Sequence, residues 1–148
     1  MNRYLLLILL IPVVIIISTK HTEVTNNSSF PQERASQITS EVKSWSDTLG
    51  IKPPNLSFPG DSKIVKNYDD KGNYRQFESA ASYSQDTNTI TFHKGQSEDT
   101  VKHEYVHYLQ DIAGISANHE SCYVEAQAYT LQSMPIETII SWYKSYGR

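Results

Sequence analysis

Leu5 to Ile17 is a run of thirteen residues without a charged or hydrogen-bonding side chain, counting Pro12. A helix with no polar face does not sit on a domain surface: it is a targeting segment, a membrane anchor or a helix buried in the domain. It is short of the ~20 apolar residues that cross a bilayer. With Met1-Asn2-Arg3 before it, it has the positive start and apolar core of a secretory signal. Residues 1–20 are therefore expected to be a signal peptide or a retained N-terminal membrane anchor. Ile16-Ile17-Ser18 is a poor cleavage site and keeps the anchor open. Either way the domain is expected outside the cytoplasm, secreted or tethered, with the membrane touched only through this segment. His21 to Phe30 is rich in Thr, Asn and Ser and reads as a linker, which leaves residues 31–148 as the domain.

About 128 residues follow the first twenty and carry nine of the ten Tyr and both Trp, enough to fill one core. Cys122 is the only cysteine, so no intramolecular disulfide can form. It is expected as a small buried residue rather than a ligand or reactive thiol. A net charge of −3 offers no phosphate-neutralising surface, which argues against nucleic acid as a partner.

The periodicities predict an α+β domain. Ala35, Ile38, Val42, Trp45 and Leu49 form one apolar stripe of a helix opened by Pro31 and closed by Gly50. Lys63 to Asn67, Tyr74 to Ser84 and Thr89 to His93 read as three strands of a small meander. Asp69-Asp70-Lys71-Gly72-Asn73 is the first turn, and a bulge is open around Ala80-Ala81. Ser97, followed by Glu98 and Asp99, caps a helix that runs to about Ala113 and stops at Gly114. A further helix spans roughly Glu120 to Leu131. After Ser133-Met134-Pro135 a last one buries Ile136, Ile139, Ile140 and Tyr143.

The chemistry lies in His103-Glu104-Tyr105-Val106-His107. On a helix, histidines four apart project from one face and can reach one ion, while Glu104 can hold a metal-bound water without being a ligand. A catalytic zinc takes three protein ligands and keeps a fourth position open. Candidates for the third ligand are His119, Glu120, Cys122 and Glu125. Glu125 begins Glu125-Ala126-Gln127-Ala128-Tyr129, whose small residues allow the close helix approach that ligation from there requires; this favours Glu125. Glu120 also reads as an ordinary charge at a helix start. Asp111, four residues after His107, is either an acceptor for a zinc histidine or a solvated charge. His21 and His93 are expected at the surface.

The two motifs together resemble the gluzincin clan of zinc metallopeptidases, and the compact order of elements resembles its minimal members, the minigluzincins. The resemblance covers residues 31–148, with specific motifs only in 103–129. It implies an N-terminal helix, a small sheet, an active-site helix and a Glu-ligand helix, to which the periodicities here add three strands for the sheet and a C-terminal helix. It implies one Zn²⁺ on His103, His107 and Glu125, with Glu104 as base and proton shuttle and the third strand lining the cleft. Thermolysin-like members carry an Asp four residues after the Glu ligand; this chain has Tyr129 there. Tyr129 shares the face of Glu125 and is a candidate to stabilise the oxyanion, with Tyr123 and His119 as alternatives; a core aromatic is the plain reading of Tyr129. The expected function is hydrolysis of peptide bonds in a peptide or protein substrate by a metal-bound water. The alternatives are a non-catalytic zinc-binding interaction module on the cell surface, and a zinc hydrolase of a non-peptide bond. Thr89 to Phe92 is expected to offer a free strand edge to an extended peptide.

Overall fold

The computed structural model describes residues 30–61, 63–68, 74–93 and 96–146; the expectations for residues 1–20 (signal or anchor), 21–29 (linker) and 69–73 (turn) lie outside them. The fold is α+β. Helix α1 (Gln32–Leu49) starts after Pro31 and ends at Gly50, whose φ of 67° lets its N–H turn back to the Asp47 and Ser46 carbonyls. The stripe faces inward, with Ala35, Ile38 and Val42 buried and Trp45 and Leu49 packed at the margin. Phe30, read from sequence as the end of the linker, is instead part of the core and lies 5.0 Å from the Phe58 ring.

The sheet differs from a meander. Among the described residues five strands follow α1: β1 (Asn55–Ser57), β2 (Lys63–Tyr68), β3 (Tyr74–Ser79), β4 (Ala81–Ser84) and β5 (Thr89–Phe92). One sheet has the order β1-β5-β4, and β2 and β3 form a separate antiparallel ladder. The single strand expected over 74–84 serves both ladders and breaks at Ala80, whose carbonyl accepts the His93 N–H at 2.9 Å. β1 was not legible in sequence. Its three residues have little strand propensity and are ordered by parallel pairing with β5. β5 is thus central, paired on both sides, and is not the free edge expected of it. The edge beside the helices is β4.

Helix α2 (Glu98–Ile112) begins at Ser97, whose hydroxyl accepts the Thr100 N–H at 3.2 Å. It runs through the middle of the domain, burying Val101, Tyr105, Val106 and Leu109. The Tyr105 hydroxyl meets that of Ser46 on α1 at 3.0 Å, which gives both buried groups a partner. A short turn, α3 (Ile115–Asn118), leads to α4 (Ser121–Gln132), which packs on α2 through Ala128 and Leu131. Helix α5 (Ile136–Tyr146) closes the core with Ile139. Among the described residues no helix is long and apolar enough to cross a membrane.

Candidate metal centre

The site is built by α2 and α4. Four residues of helix rise about 6 Å and return to nearly the same face, so His103 and His107 stand one above the other. Their rings are edge-on with centroids 4.7 Å apart, and their Nε2 atoms are 3.1 Å apart. Ala128 is fully buried between the helices and lets α4 approach closely. That brings the Glu125 carboxylate to 3.5 Å from His103 Nε2 and 3.4 Å from His107 Nε2. The potential ligand atoms of these three residues lie within 4.8 Å of one another. His119, Glu120 and Cys122 stand outside this group.

Both imidazoles are set for ligation by neutral amides. His103 Nδ1 lies 2.9 Å from Gln132 Oε1, and His107 Nδ1 lies 2.9 Å from Gln110 Oε1. An amide oxygen only accepts, so each Nδ1 carries the proton and each Nε2 presents a lone pair. The orientation of Gln110 is fixed independently, because its Nε2 donates to the Val124 carbonyl at 2.9 Å and to Gln127 Oε1 at 3.0 Å. Two facing lone pairs at 3.1 Å repel each other unless a cation lies against both, and a carboxylate stands beside them. Two imidazoles and one carboxylate form a donor set that suits zinc with one position left open. Burial first, and then the neighbouring His107, lower the His103 pKa against the pull of Glu125. This favours the neutral, ligating form.

Neither glutamine was singled out from sequence. The usable signal was helical spacing: Gln110 follows His107 by three and Gln132 follows Glu125 by seven, so each shares the face of a ligand. Gln110 is fully buried. Gln110→Ala strips the partner from both the His107 Nδ1–H and the Val124 carbonyl. A loss of about 2 kcal/mol in urea denaturation is expected, together with loss of the Nδ1–H tautomer of His107 in ¹⁵N spectra. An unchanged tautomer would show that Gln110 does not set it.

Glu104 is 7% exposed and lies against β4. Burial, and then the charge of Glu125, push its pKa up to about 7, while the Tyr83 backbone N–H works in the opposite direction. Two cavities flank it and share Ala81, His103 and Glu104. The larger, about 410 Å³, extends along Tyr83, His107 and Glu125 towards α3; the smaller, about 270 Å³, reaches Thr100, Tyr129 and Gln132.

Tyr129 is 63% exposed and its ring centroid lies 4.7 Å from that of His103, so it is not a core aromatic but part of the cleft wall. Tyr123 instead hydrogen-bonds Tyr146 and Gln127. His119 rests on Tyr123 at 4.5 Å and lines the larger cavity. Three expectations are corrected. Cys122 is exposed, because it falls on the outer side of the first turn of α4, with its Sγ 3.6 Å from Glu120. His93 is buried, its Nδ1–H donating to the Asp61 carbonyl at 2.7 Å, because the chain after β1 returns over the end of the central strand β5. Asp111 meets neither His103 nor His107; it accepts the Tyr83 hydroxyl at 2.7 Å and the Gln85 amide, which ties the end of α2 to β4 and its turn.

The sequence matches no family model, and comparison with curated proteins and with solved structures returns no match.

Proposed function

We propose that the chain is a zinc-dependent peptidase that hydrolyses peptide bonds, with one zinc held by His103, His107 and Glu125. The observation that carries this reading is the convergence of two Nε2 lone pairs and a carboxylate beside a buried Glu104, in a cleft bordered by a free strand edge. A closed structural site needs no such base, which disfavours the non-catalytic module. Bound zinc would supply a Lewis acid that polarises the carbonyl and acidifies water. Glu104 takes the proton from the attacking water and delivers it to the leaving amine. Burial disfavours the charged form of Glu104 and makes it readier to take up a proton than an exposed carboxylate. Tyr129, whose ring lies beside that of His103, is the residue proposed to donate its phenolic proton to the developing oxyanion.

β4 supplies a surface for an extended substrate. The Ala80–His93 bond sets the alternation along the ladder, so Ser82 and Ser84 turn their backbone groups to β5 while Ala81 and Tyr83 turn theirs outward. The Tyr83 N–H goes to Glu104, and the Ala81 carbonyl accepts the Ser79 hydroxyl at 2.6 Å. Among the described residues nothing pairs with the outward Ala81 N–H and Tyr83 carbonyl, so a peptide backbone can add there. A chain laid there passes from one cavity to the other over Glu104. The apolar run Leu5–Ile17 supports a domain that works outside the cytoplasm, released or tethered at its N-terminus.

Metal analysis of the purified full chain, together with cleavage of a broad peptide library, tests the proposal. One zinc per chain and turnover abolished by a chelator are expected. Stoichiometric zinc without turnover of any peptide would replace the peptidase with the zinc-binding interaction module.

A further inference from the structure

We propose that Asp111 makes the larger cavity a subsite for a basic side chain, Lys or Arg, on the substrate residue next to the scissile bond. The inference rests on the peptidase reading and names the substrate class of that site. Asp111 follows His107 by four residues, so it stands one helical turn, about 6 Å, from a metal ligand. That is the reach of a neighbouring residue's side chain and not of a distant one.

The charge of Asp111 is unbalanced. Its partners are a phenol and an amide, both neutral, at Tyr83 and Gln85. Among the described residues lining the cavity there is no Lys or Arg, and the other carboxylates are Glu104 and Glu125. Bound zinc would lie against Glu125 and beside Glu104, and His119 is the remaining titratable side chain of the lining, which leaves Asp111 as the carboxylate of the cavity that no Lys, Arg or candidate metal position faces. Each of its oxygens accepts one hydrogen bond and keeps a lone pair for another. Val124 gives the wall an apolar patch, and Ser116 and Ser121 add hydroxyls. An apolar wall leading to a carboxylate matches the two halves of a Lys or Arg side chain, a methylene stem and a cationic head. An apolar substrate side chain would instead strip water from Asp111 without replacing it, which is costly for a charge.

Asp111 also ties α2 to β4, so the test must separate charge from scaffold. Asp111→Asn does this: its amide oxygen accepts the Tyr83 hydroxyl and its amide nitrogen donates to the Gln85 oxygen, while the charge is lost. The readout is the ratio of kcat/KM for peptides that differ only in Lys against norleucine at positions flanking the cleaved bond. The binding ratio of the same fluorescent peptides to zinc-loaded full-length Glu104→Gln protein is read alongside. The wild type is expected to favour Lys by ~10-fold or more at one flanking position, as for a charge-assisted hydrogen bond. The ratio should fall towards one in Asp111→Asn, shrink with added salt, and turn to favour Glu in Asp111→Lys. A wild-type ratio near one, or a Lys preference that survives Asp111→Asn, overturns the subsite. Cleavage without the preference leaves the peptidase standing and removes only this inference. An Asp111-dependent binding preference without cleavage supports the subsite and removes the peptidase. Failure to bind any of the peptides overturns the subsite.

Discussion

Glu104→Gln is expected to keep the fold and the zinc while losing at least ~10²-fold in kcat, the usual scale for removing a general base and acid. Glutamine has the same shape and can accept the Tyr83 N–H, but it cannot take a proton from water. The substitution should also raise stability in the metal-free protein, in a pH-dependent way. Glu104 is almost fully buried and its pKa in the fold is raised from 4.5 to about 7. A carboxyl with a raised folded pKa contributes stability that is fully present below the unfolded value and is lost as pH rises through the folded one. Between pH 4.5 and 7 the wild type therefore loses on the order of 3 kcal/mol to this one group. The glutamine variant does not lose it. Urea denaturation in the presence of a chelator should show Glu104→Gln more stable at pH 8, with the difference fading by pH 5. Near wild-type turnover in Glu104→Gln would end the mechanism. Equal stabilities at pH 8 would show that the carboxylate is hydrated in the fold.

His103→Ala and His107→Ala are each expected to remove most of the bound zinc, because two ligands hold the ion poorly. Glu125→Ala should weaken binding strongly as well, since its carboxylate lies 3.4–3.5 Å from both Nε2 atoms. Glu120→Ala should leave the affinity unchanged, because Glu120 stands outside the group. Chelator competition gives the affinities, and the zinc-induced rise in Tm gives an independent reading. A ligand at 100 times its Kd stabilises by about 2.7 kcal/mol, so a lost site is lost thermal protection. If Glu120→Ala strips zinc and Glu125→Ala retains it, the third ligand has been misplaced.

What was legible in the sequence was local. The α1 stripe from Ala35 to Leu49, the Ser97 cap and the His103–His107 pair depend on spacings of three and four residues, which the helix turns into geometry without help from elsewhere. Glu125 was legible for a weaker reason, as a carboxylate beside small residues on the next long helix. The sheet was less so. Tyr74 to Ser84 reads as one strand with room for a bulge at Ala80-Ala81, and the pairing with β5 turns that irregularity into a break between two ladders. Asn55-Leu56-Ser57 has no pattern at all and becomes a strand because β5 has a second edge to fill.

Local pattern alone yields the two elements of the candidate site: a capped helix bearing His103, Glu104 and His107, followed by a helix bearing Glu125. Tertiary structure alone decided what surrounds those groups. It put β4 rather than β5 at the cleft. It drew Asp111 to Tyr83 and Gln85, buried His93 and left Cys122 exposed. It also set Gln110 and Gln132 against the imidazole Nδ1 atoms. The physical reason is range. Helical periodicity and capping act over one or two turns and are written in consecutive residues. A hydrogen-bond partner, a sheet neighbour and a degree of burial depend on chain segments brought together only by packing, and amides or carboxylates can satisfy many partners until packing selects one.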